Sequence, residues 1–141
     1  MIIIQAATEN TIGSALIRWF TWSSYSHVDF VLPDGRLLGA RLKGGVQIRE
    51  PGYANFTKTK RFVIDGPDSI LDWAKSQVGK PYDWRAIVAF AYHHDWKSRD
   101  AWFCSELVAA ACLDNGIRLL NEQVNRVTPG QLIESPLIKP C

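Results

Sequence analysis

The sequence predicts one α+β domain spanning residues 1–141, with helices packed on an antiparallel sheet. Three observations predict it. The first half is a series of short β-branched runs punctuated by turn residues. The second half changes to helical spacing and ends its runs with glycine. One helical segment interrupts the strands early, and no repeat or linker divides the chain.

The elements follow in order. "MIIIQA" is continuous and β-branched, which predicts a buried strand. "SALIRWF" (14–20) places Leu16, Ile17 and Phe20 on one helical face, with Ser14 as a cap. "SHVDFVLPDGRLLGARL" predicts a hairpin, because "PDG" is turn chemistry between two apolar-rich runs. "GGVQIRE" (44–50) and "KRFVIDG" (60–66) predict two more strands. In "PDSILDWAKSQVG", Ile70, Leu71, Ala74 and Val78 share a helical face, Asp68 is the cap and Gly79 the stop. "YDWRAIVAFAY" predicts a second helix in this half, and "CSELVAAACLDNG" a third. The third buries Leu107, Val108, Ala111 and Cys112 and stops at Gly116. "VTPGQLIESPL" predicts a short helical turn opening at Pro129.

Bulk properties exclude several classes of function. Sixteen basic against 14 acidic residues leave a net charge of +2, too balanced for a nucleic-acid partner. The densest basic run, "KTKR" at 58–61, reads as a solvated strand edge. No stretch approaches the ~18 apolar residues of a membrane span, and "MIIIQAATEN" lacks the basic start of a secretion signal. Three cysteines do not make a disulfide framework. Cys104 and Cys112 on one helix would stand roughly 12 Å apart along its axis, beyond disulfide reach. A reduced, cytoplasmic protein is the expectation.

Cys104 stands where the third helical pattern begins. A helix N-terminus favours thiolate, because its unpaired N–H groups and dipole stabilise negative charge. The same position also suits an ordinary packing thiol. His27 is the natural partner, since strand alternation puts His27, Asp29 and Val31 on one face and Val28 and Phe30 on the other. A neutral imidazole can accept a thiol proton; a half-exposed strand end would explain the same residues. His93 and His94 point apart, with no Cys/His pair at ligand spacing, so neither a metal nor another cofactor is expected. Six tryptophans could form a stacking surface for a ligand, but aromatic burial in a small core explains most of them more simply.

With His27 first and Cys104 last, the order of motifs resembles the circularly permuted NlpC-type papain-like cysteine hydrolases, in particular the YiiX/YebB-like branch. Lecithin retinol acyltransferase-like enzymes share that permuted order. The stretches that carry the resemblance are "ALIRWFTWSSYSHVDFVLPDG", "GGVQI", "GKPYDW", "FCSELV" and "VTPGQL", which together span nearly the whole chain. The resemblance implies a permuted papain-like fold in which Cys104 attacks a carbonyl carbon and His27 handles its proton. It implies that the Cys104 N–H helps hold the oxyanion, and it sets Tyr82 beside the nucleophile in a supporting role. The substrate would be a peptide or another amide or ester, cell-wall peptide among the candidates.

One departure stands out. Such relatives usually orient the histidine with a polar residue, often Glu, from the next strand, which here reads "RLLGARL". A two-residue Asp34-Gly35 turn sets His27 against Leu42, with Ala40 and Leu38 on its side; a loop one residue longer offers Arg41 and Gly39. Neither supplies a carboxylate. Asp29 is the expected substitute, with Gln47 or a bare Cys–His dyad as alternatives. The function expected is a thiol amidase or peptidase working through an acyl-enzyme. Two alternatives stand beside it: a non-catalytic papain-like binding module, and a lipid acyl-transfer enzyme. The sequence leaves the oligomeric state open.

Overall fold

A computed structural model describes residues 1–10, 24–41, 43–83, 102–121 and 127–141. Among them are six strands: β1 (Ile2–Glu9), β2 (His27–Val31), β3 (Leu37–Arg41), β4 (Gly45–Arg49), β5 (Phe56–Ile64) and β6 (Ile138–Pro140). Three helices accompany them: α1 (Ser69–Ser76), α2 (Cys104–Asp114) and α3 (Pro129–Ile133). The strands form one antiparallel sheet in the order β4-β3-β2-β1-β5-β6. The α+β class expected from the sequence is what the chain adopts.

Alternation along the strands builds the core. Ile2, Ile4 and Ala6 of β1 join Val28 and Phe30, Leu38 and Ala40, and Phe62 and Ile64 in one buried cluster. Ile70, Leu71 and Ala74 of α1 and Leu107, Val108 and Ala111 of α2 complete it. Helix α2 is buried almost all round, including Ser105 and Glu106 in its first turn. Alanine at 109, 110 and 111 lets other elements approach closely on several sides. Ser105 Oγ is reconciled with burial by donating to the Val127 carbonyl at 2.5 Å.

The β2–β3 register settles the hairpin. Phe30 pairs with Leu38 and Val31 with Leu37, so the longer of the two loops is the one used. Gly35 takes φ +89° there and donates its N–H to the Leu32 carbonyl at 2.9 Å. That register carries His27 toward Arg41 and Asp29 toward Gly39.

Four expectations need correction. Val78 is 44% exposed rather than on the buried side of α1, which ends before it at Ser76. Asp68 occupies the α1 cap position without a side-chain cap bond. Strand β5 starts at Phe56, four residues before "KRFVIDG", because β1 pairs with it along its length. Lys58, Lys60 and Arg61 are exposed on that strand, as expected of "KTKR". Tyr82, expected at the start of a helix, forms an isolated bridge with Trp102. The helix expected over 14–20, and the rest of the one over 82–92, lie outside the described residues.

Candidate active site

Cys104 is the first residue of α2, and Phe103 before it is extended with φ −84° and ψ 152°. The apolar Phe103 provides no side-chain cap for the helix. The adjoining chain is pinned by backbone bonds: Trp102 N–H donates to the Pro81 carbonyl and Asp83 N–H to the Trp102 carbonyl, both at 3.0 Å. This crossing brings Tyr82 alongside, with its ring 5.7 Å from that of Phe103. Burial, and then the charge of Cys104, push the Tyr82 hydroxyl well above the ordinary tyrosine range. Tyr82, from the "GKPYDW" stretch, thus sits beside the cysteine.

His27 opens β2 and is buried, as are Asp29 and Cys104 (5%, 2% and 1% exposed). His27 Nε2 lies 2.7 Å from Asp29 Oδ1. Two residues apart on a strand, their Cα atoms stand roughly 7 Å from each other, so both side chains lean inward to meet. Burial alone would lower the imidazole pKa. The charge and hydrogen bond of Asp29, then the hydrogen bond and charge of Cys104, outweigh it and raise the value to about 10. With Nε2 held by Asp29, Nδ1 is the ring nitrogen left for sulfur. Cys104, His27 and Asp29 are therefore brought together, from sequence positions 77 residues apart at the widest.

Gln47 is not part of this group. Its Nε2 donates to the carbonyls of Lys43 (2.8 Å) and Gly45 (3.1 Å), and its Oε1 accepts from Arg49. It pairs across β3 with Gly39, one strand further from His27.

Tyr53, between β4 and β5, is a neighbour that sequence reasoning missed. Its hydroxyl donates to Asp29 Oδ2 at 3.0 Å and lies 3.2 Å from His27 Nε2. Its ring meets Phe56 edge-on at 5.3 Å and carries the Arg41 guanidinium 5.0 Å from its centroid. Arg41 in turn donates to Glu9. No local motif marks "GYANF" as part of a site; only the fold brings it there.

No family model matches the chain, and no curated protein matches it. Among solved structures, the chain is similar to the metalloprotein yiiX from Escherichia coli O157:H7, with a TM-score of 0.75 and 19% sequence identity, over 99% of this chain and 94% of that one. The chain has a yiiX-like fold: a mixed α+β domain built on an antiparallel sheet. Among the described residues, no helix is long and apolar enough to cross a membrane. No group of three or more His, Cys, Asp or Glu there is disposed to hold a metal ion, and His93 and His94 lie outside the described residues.

Proposed function

We propose that the chain is a cysteine hydrolase of permuted papain-like architecture, an amidase or peptidase acting through an acyl-enzyme on Cys104. The observation that carries this reading is the buried imidazole shared between a carboxylate and a thiol at a helix N-terminus. Cys104 Sγ attacks the substrate carbonyl carbon as a thiolate, with its proton resting on His27. The electron pair displaced onto the carbonyl oxygen is met by the Cys104 N–H at the start of α2. As the tetrahedral species collapses, His27 passes its proton to the leaving amine or alkoxide, and the acyl group stays on sulfur. His27 then takes a proton from water, which attacks the thioester and frees Cys104. Asp29 stabilises the imidazolium throughout and fixes its ring.

Among the described residues, the donor set does not fit a resident metal, although yiiX is a metalloprotein. His27 is engaged by Asp29 at Nε2 and by Cys104, and the described carboxylates and thiols make no ligand group around it. No step in this scheme passes through a metal. Three free cysteines fit a reduced, cytoplasmic setting.

A second reading, a binding module retaining the fold, is favoured by the near-complete burial of the Cys104 side chain. Incubation with a small activated thioester or p-nitrophenyl ester, followed by peptide mapping, separates the two. An acyl adduct on Cys104 that turns over supports the hydrolase. Adducts confined to exposed Cys141 reject it and leave the module.

A further inference from the structure

The carboxylate beside His27 comes from the histidine's own strand, and β3, the strand that would ordinarily supply such a group, has a glycine opposite it. A Cβ on Gly39 would lie 1.9 Å from Asp29 Oδ1 and 3.0 Å from its Cγ. Gly39 has no positive φ, so the backbone there does not call for glycine; the carboxylate does. Asp29 Oδ1 occupies the space a β3 side chain would fill. Its other oxygen, Oδ2, receives the Tyr53 hydroxyl at 3.0 Å.

We infer that Gly39 and Tyr53 are positioning residues for His27, acting through Asp29: the glycine opens the seat for Oδ1 and the tyrosine clamps Oδ2. This rests on the thiol–imidazole reading of the site and goes beyond it, by explaining how a residue on β2 can serve there. A carboxylate only two residues from its histidine can turn outward or inward. The close approach over Gly39 and the bond from Tyr53 select the inward rotamer. Arg41, stacked on the Tyr53 ring and paired with Glu9, holds that ring in turn. Among the described residues, the charged and titratable groups linked to the imidazole are thus Glu9 of β1, Asp29 of β2, Arg41 of β3, Tyr53 after β4, and Cys104 of α2 with Tyr82 beside it.

The test compares the full-length protein with Tyr53→Phe, Gly39→Ala and a control, Phe56→Leu, which removes the ring neighbour of Tyr53 but not its hydroxyl. Two readouts are needed: the downfield NMR resonance of the His27 Nε2 proton bonded to Asp29, and the neutral-pH rate of Cys104 alkylation by iodoacetamide, mapped by mass spectrometry. Tyr53→Phe and Gly39→Ala should lose the resonance and slow alkylation by roughly ten- to a hundredfold, the scale of a misplaced catalytic group. Phe56→Leu should melt at a lower temperature with both readouts retained. If Gly39→Ala does not fold, the single-oxygen deletion in Tyr53→Phe decides. A folded Tyr53→Phe protein with the wild-type resonance and alkylation rate overturns the inference. Neither readout needs a substrate, so a protein that hydrolyses no ester yet loses the resonance in Tyr53→Phe would sink the hydrolase reading and leave this one standing.

Discussion

Replacing Asp29 by Asn removes the largest of the contributions that oppose burial at His27 while keeping a side chain of the same size. The imidazole is raised from 6.5 to about 10 in the folded protein, with Asp29 supplying the two largest raising contributions. At ~1.36 kcal/mol per pH unit, that interval corresponds to about 5 kcal/mol of preference for the protonated ring in the fold. Because the folded value lies above the unfolded one, this stabilisation is fully present below pH 6.5 and is lost as pH rises toward 10. In Asp29→Asn, burial is opposed by Cys104 alone, so the histidine should titrate near or below its ordinary value. Two measurements check this: the Hε1 shift of His27 followed by NMR from pH 5 to 11, and urea unfolding at several pH values. The wild type should weaken progressively between pH 6.5 and 10, and the variant should lack that component. A His27 titration that stays near 10 in Asp29→Asn would refute the assignment of the shift to this carboxylate.

Cys104→Ala should fold with an unchanged circular dichroism spectrum and lose the turnover of activated esters, leaving at most adducts on exposed Cys141; turnover surviving in it rules out the covalent mechanism. Cys112→Ala should cost about 1 kcal/mol in denaturant unfolding as a modest core truncation. It should leave Cys104 alkylation untouched, because burial pushes the Cys112 thiol up to about 12 and keeps it unreactive at neutral pH. Thr128→Ala breaks the capping box in which Thr128 and Gln131 satisfy each other's backbone N–H groups at the start of α3. It should lower unfolding free energy by about 1 kcal/mol.

The strands and helices with strong local periodicity were legible because burial and hydrogen bonding act on each segment alone. "MIIIQA" reads as a strand in any context that buries it, and "CSELVAAACLDNG" as a helix with a glycine stop at Gly116, where φ is +79°. Strand β6 was not legible: three residues ending in Pro140 have no period, and they become a strand only because β5 lends them an edge. The site divides in the same way. Cys104, His27 and Asp29 carry chemistry in their side chains and so attract notice. Gly39 contributes by having no side chain, and Tyr53 by reaching in from a loop. Their meaning depends on the β2–β3 register, which "PDG" allowed in two forms.

The sheet order also governs when the site can come into being. Strand β1 lies between β2 and β5, so the strand made first has one neighbour at once and must wait for the other. At ~5–20 residues per second on the ribosome, the stretch separating β1 from β5 delays that closure by seconds. Cys104 is translated only after all five strands from β1 to β5, when His27 and Asp29 already have a scaffold around them. The Cys104 sulfur is therefore the last of these site groups to emerge, after β1 to β5, and nascent chains that stall earlier carry no cysteine from this site at all.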